Sequence, residues 1–149
     1  MDAILLVDHG SRRAEANDKL EELAGRLAAH LEPTGRALIV SFAHMELAEP
    51  SIESAVLDCV LRGAEAIVCV PCFLARGRHV TEDIPRLFEQ ALRAHPEVAF
   101  RMGSPLSEQP GFLDLLARAG GFSWGAAGVG LTAPVRPRRG LLRAPSPSS

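Results

Sequence analysis

The chain has 149 residues, enough for one domain with a real core, and its 47% apolar and 23% charged residues are ordinary for a globular protein. All 18 acidic residues precede Gly120, whereas Arg136, Arg138, Arg139 and Arg143 follow it, so the net charge of −2 joins an acidic body to a basic end. An acidic body argues against nucleic acid as the main partner, and no apolar run approaches the length of about eighteen residues that a membrane span requires.

The elements alternate from the start. Ala3 to Val7 is a continuous apolar run, the pattern of a strand buried on both faces. Ala14 to Leu31 then places Leu20, Leu23, Leu27 and Leu31 at helical spacing, until Pro33-Thr34-Gly35 breaks it. Ala37 to Ala43 is a second strand. Glu49-Pro50-Ser51 opens a helix through about Leu61, with Pro50 tolerated in the first turn, and Gly63 closes it. Ala66 to Val70 is a third strand, followed by a loop of glycine and arginine. Thr81-Glu82-Asp83 reads as a helix start with Thr81 as cap, and that helix runs to about Ala94. Val98 to Met102 is a fourth strand, and Gln109 to Arg118 a last short helix. Strands separated by helices predict right-handed crossovers and a parallel α/β sheet. Residues 1–119 form this domain. Residues 120–149 are rich in glycine, proline and arginine, support no sustained amphipathic element, and are expected to be a disordered tail.

Cys59, Cys69 and Cys72 make no even-numbered disulfide framework and suit a reducing compartment. Cys69-Val70-Pro71-Cys72 has redox spacing, yet it lies along an apolar run rather than opening a helix, so buried strand thiols are expected. The chain enters a strand at once, with no basic n-region or cleavage site, and a cytoplasmic location is expected.

Two histidines follow strands. Ile4-Leu5-Leu6-Val7 runs into Asp8-His9-Gly10-Ser11-Arg12, and the third strand runs into Pro71-Cys72-Phe73-Leu74-Ala75-Arg76-Gly77-Arg78-His79. Ligands bind outside the carboxyl ends of such strands. Two imidazoles there, among guanidinium groups, point to a metal ion or to proton transfer beside an anion. Local roles compete with this reading. His9 reads equally as a cap of the first strand or turn, His79 as a cap near Thr81, and Glu46 as an acid favoured at a helix N-terminus. His44 stands on the same edge as a tempting third ligand, and His30 and His95 lie near helix C-termini. Ser11 is better placed to cap the next segment than to attack a substrate.

On the segments ILLVDHGSRRAEAN, FAHMELAEPSIESAV, GAEAIVCVPCFLARGRHVTEDIP and GSPLSEQP, the chain resembles the small sirohydrochlorin chelatases, class II enzymes that insert cobalt or iron into a tetrapyrrole. The resemblance implies a chelatase-like three-layer sandwich, its mostly four-stranded parallel sheet flanked by helices. It also implies that His9 and His79 are the metal-handling and catalytic histidines, with Glu46 as their acidic partner, and that the position of His44 is not a ligand. Ser11, Arg12, Arg13, Arg76 and Arg78 would meet the carboxylates of the tetrapyrrole. No organic cofactor is expected; the metal, Co²⁺ first, then Fe²⁺ or Ni²⁺, is itself a substrate. Longer members carry two such halves and short ones pair, so the single half here implies a homodimer. The alternative is a metal or tetrapyrrole carrier that has lost turnover. A nucleotide-binding domain ranks below both, because no glycine-rich phosphate motif follows the first strand.

Overall fold

A computed structural model of the chain describes residues 1–125 and 128–131, with side chains through residue 122. Four strands, β1 (Asp2–Asp8), β2 (Leu38–His44), β3 (Ala66–Pro71) and β4 (Ala99–Met102), form one parallel sheet in the order β2-β1-β3-β4. The connecting helices are α1 (Ala14–Leu31), α2 (Ile52–Leu61) and α3 (Ile84–Leu92). The chain steps outward from β1 to β2 and then returns across β1 to β3. With one crossover hand, that reversal must put α1 on one face of the sheet and α2 and α3 on the other.

The core follows this rule. Leu6 of β1 packs with Leu20 and Ala24 of α1, while Leu5 and Val7 pack with Ile52 and Val56 of α2 and Ile84 and Phe88 of α3. The continuous apolar run of β1 therefore serves two faces at once. Phe88 is fully buried and stacks on Phe100, with ring centroids 4.5 Å apart.

Three element starts differ from the sequence reading. Pro50 lies before α2 rather than in its first turn, and Ser51 caps that helix by accepting the Ser54 N–H at 3.2 Å. Thr81 is not a cap: a π-helical turn, His79–Asp83, precedes α3, and the Thr81 hydroxyl donates to the Gly77 carbonyl from within it. Pro85 explains the altered turn, because it has no N–H to give the Thr81 carbonyl and an ordinary α-helical ladder cannot pass there. The last helix, α4 (Phe112–Ala119), begins after Gly111 at φ 81°, with a separate 3₁₀ turn over Leu106–Glu108 before it.

Contacts divide the chain into compact units, Met1–Gln109 and Pro110–Ser149. In the second unit, α4 is followed by β5 (Phe122–Gly125) and β6 (Gly128–Leu131), which pair antiparallel with Trp124 opposite Val129. Sequence analysis gives this stretch no regular element, because its glycines interrupt the alternation that marks a strand. Residues 126–127 and 132–149, the remainder of the expected tail, lie outside the described residues.

The register of β1 and β2 persists past the sheet edge. The Met45 N–H donates to the Asp8 carbonyl at 2.9 Å and the Glu46 N–H to the His9 carbonyl at 3.1 Å. Gly10 then turns the chain away at φ +86°, with its N–H on Asp8 Oδ1 at 2.9 Å. A Cβ at Gly10 would land on the Glu46 carbonyl oxygen and crowd the His44 Cβ.

Two unfolding measurements test this frame. In urea, Gly10→Ala is expected to lose at least about 2 kcal/mol, from left-handed strain plus the clash. Phe88→Ala is expected to lose about 3–5 kcal/mol, from lost burial and a residual cavity.

Candidate active site

Because the strand order reverses between β1 and β3, the residues leaving these two strands flank a crevice at the sheet's carboxyl edge, the usual ligand position in open α/β sheets. The structure brings His9, Glu46 and His79 together there. His9 Nε2 lies 2.8 Å from Glu46 Oε1, and the His9 and His79 rings meet edge to face with centroids 5.1 Å apart. His9 and Glu46 are both about half exposed, so their contact adds little stability and its value is placement.

The hydrogen-bond partners fix what each ring nitrogen can do. His9 Nδ1 lies 3.2 Å from the Gly10 carbonyl while Nε2 faces Glu46. As imidazolium, His9 has an acceptor for each N–H; when Nε2 gives up its proton, Nδ1–H stays on the carbonyl and Nε2 becomes a free lone pair. His79 Nδ1 lies 2.9 Å from Asp83 Oδ2. A carboxylate only accepts, so Nδ1 carries the hydrogen and the neutral ring has its lone pair on Nε2. Phe73 lies 6.3 Å from the His79 ring. A cleft of about 230 Å³, lined by Met45, Glu46, His79, Asp83, Arg86 and Leu87, adjoins these groups. Among the described residues, no three His, Cys, Asp or Glu donors converge into a closed metal cage.

The remaining predicted residues have different surroundings. Ser11 acts as a local cap: its Oγ accepts the Arg13 N–H at 3.1 Å, and Asn17 clamps its backbone from both sides at 2.9 and 2.8 Å. Arg12 and Arg13 are exposed beside this turn. Arg76 is engaged within the chain, holding Glu108 through two nitrogens at 3.0 and 2.7 Å. That bond raises the Arg76 pKa and holds the Glu108 carboxyl below its ordinary value. Arg78 pairs with Glu82 at 3.4 Å, one helical turn on, and is largely exposed.

Sequence reasoning missed two groups. Asp83 reads in the sequence only as part of a helix start, although its four-residue spacing from His79 is a local signal for the contact. Asp8 went unremarked: its Oδ1 accepts the Gly10 N–H and also meets His44 Nδ1 at 2.6 Å. His44, weighed as a third ligand, is fully buried and turned onto Asp8. The cysteines are free, as expected; Cys69 is buried in β3, and Cys72 lies half-buried just beyond it. Burial, with Asp8 nearby, pushes the Cys72 thiol up to about 11, and burial drives Cys69 higher still, so neither is a poised thiolate.

Comparison with known proteins identifies the family. The CbiX family profile matches residues 3–119. The chloroplastic sirohydrochlorin ferrochelatase of Arabidopsis thaliana is 44% identical over 115 residues, covering 77% of this chain and 49% of its own length. The sirohydrochlorin cobaltochelatase of Methanocaldococcus jannaschii is 42% identical over 87 residues, 58% of each chain. The chain thus spans about half the length of the curated relatives it matches. Among solved structures, the sirohydrochlorin chelatase SirB of Bacillus subtilis subspecies spizizenii, in complex with cobalt, superposes with TM-score 0.62 at 32% identity, over 70% of this chain and 43% of that one. A CbiX protein from Marinobacter aquaeolei VT8 superposes with TM-score 0.61 at 34% identity, over 80% of this chain and 93% of that one. The chain belongs to the CbiX family of sirohydrochlorin chelatases.

Proposed function

We propose that this chain inserts a divalent metal ion into sirohydrochlorin. The observation that carries the reading is the placement of two imidazoles in edge-to-face contact, one of them 2.8 Å from a solvent-reaching carboxylate. A free-base tetrapyrrole must lose two N–H protons as a divalent ion enters, so charge is conserved only if those protons have somewhere to go. Neutral His9 and His79 offer Nε2 lone pairs to the incoming ion and leave its other positions to water or to the pyrrole nitrogens. As the ion passes on, His9 Nε2 would take the two pyrrole protons in turn, handing the first through Glu46 to solvent before it accepts the second. Glu46 is 54% exposed, which suits that last transfer.

Cobalt is the first choice of metal, with Fe²⁺ next and Ni²⁺ possible by ligand chemistry, since imidazole accepts all three. The cobaltochelatase and ferrochelatase relatives support the first two. Arg12 and Arg13, both exposed, would meet substrate carboxylates, as would Arg78 and Arg76 on releasing Glu82 and Glu108. A homodimer follows from the same reading, because one half presents one wall to a flat macrocycle. The half-length match to the relatives keeps the carrier alternative in the test: a carrier captures one equivalent, whereas an enzyme turns over.

Visible absorption of sirohydrochlorin with substoichiometric protein and Co²⁺ distinguishes these. Many equivalents of product are expected from the native chain, and His79→Ala is expected to lose about a hundredfold or more in rate while keeping its unfolding midpoint. Conversion that stops at one equivalent would sink the enzymatic reading, and an unimpaired His79→Ala would sink the site. Asp83→Asn, whose amide can present its NH2 as well as its oxygen and so no longer fixes the hydrogen on His79 Nδ1, is expected to lower turnover by about ten- to a hundredfold in the same assay.

A further inference from the structure

His44 raises a question that the proposed mechanism does not use. Its side chain has no solvent exposure, its Nδ1 is bonded to Asp8, and its Nε2 is buried with no hydrogen-bond partner among the described residues. Burying an unsatisfied ring nitrogen is costly, and an apolar ring at this position would avoid the cost. Phe42 packs edge to face on His44, with ring centroids 5.8 Å apart, so the surroundings already suit an aromatic ring. The imidazole is therefore a poor choice for stability alone.

What it holds is the edge turn. Asp8 and His44 are register partners at the ends of β1 and β2. The Asp8 oxygen that meets His44 also accepts the Gly10 N–H, and the Asp8 and His9 carbonyls take the N–H groups of Met45 and Glu46. The side-chain bond thus ties the two strand ends directly beneath the pair formed by His9 and Glu46. We infer that His44 is a positioning residue: through Asp8, it locks the β1 and β2 exits so that Glu46 stays against His9 Nε2. The inference deepens the proposed chelatase reading, on which its kinetic arm rests. Asp8 is 28% exposed and keeps the Gly10 N–H if His44 is replaced, so removing the imidazole does not strand a buried charge.

Two substitutions separate positioning from stability. His44→Phe removes both the bond and the orphan nitrogen; it should fold with an unfolding midpoint equal to or above the native one. Its kcat for Co²⁺ insertion should fall by about tenfold or more with KM for sirohydrochlorin unchanged, because a misplacement near 1 Å has effects of this order. His44→Asn places an amide donor where Nδ1 stood; it should be less stable yet recover most of kcat. A His44→Phe variant with native kcat, or a His44→Asn variant as slow as His44→Phe, would overturn the inference. Heteronuclear NMR of the imidazole rings reads the same claim without turnover. The His9 Nε2–H signal bonded to Glu46 should be present in the native chain, lost in His44→Phe and restored in His44→Asn. Its persistence in His44→Phe would overturn the positioning role even if the native chain inserts no metal, and its loss there would sustain that role while the chelatase reading alone failed.

Discussion

The site depends on one constraint: β1 and β2 keep their parallel register for two residues beyond the sheet. Ladder hydrogen bonds are ordinary inside a sheet, where both chains are extended. Here they continue into the exits, so that the backbones of His9 and Glu46 are joined before their side chains meet. Gly10 makes this possible by accepting a left-handed conformation and by leaving room for the Glu46 carbonyl, which a side chain would occupy. A half-exposed ion pair could not fix this geometry by its own strength. The backbone fixes it, and the pair inherits the result.

The second histidine arrives from the other side of the reversal in strand order. β3 delivers a loop whose backbone is tied to the neighbouring one by Leu106 N–H on Phe73 O and Ser107 N–H on Leu74 O, with the Arg76–Glu108 pair beside them. The π-helical turn that Pro85 imposes then presents His79 with Asp83 on its inner nitrogen. His79 therefore reaches the crevice with one nitrogen held by Asp83, whereas both His9 nitrogens face oxygen, Nδ1 the Gly10 carbonyl and Nε2 Glu46. An open pair of imidazoles suits an ion that must leave again, since a closed four-ligand cage would hold it.

Much of the fold is written locally. The limits of α1 are legible to the residue because leucines recur at helical spacing between a charged start and a Pro-Thr-Gly stop. β1 and β3 announce themselves as unbroken apolar runs. The start of α3 is not legible in the same way: Thr81 has the chemistry of a cap, but the absent N–H of Pro85 four residues on decides the turn. His9 and His79 stand out because each follows a strand, whereas Glu46 alone reads as a helix-start acid and enters the site only through the resemblance to the chelatases. The Asp8–His44 bond spans 36 residues and the Arg76–Glu108 bond 32, and no periodicity encodes a contact of that range. Arg76 therefore read as a free cation, whereas folding gives it a carboxylate partner.

The most direct measurement of the central claim is cobalt-edge anomalous diffraction from crystals of the native chain soaked in Co²⁺. The ion is expected at Nε2 of His9 and His79, with Glu46 displaced from the His9 nitrogen that it meets at 2.8 Å in the absence of metal. An ion bound at Cys69 and Cys72, or elsewhere on the surface with the His9–Glu46 contact intact, would contradict it.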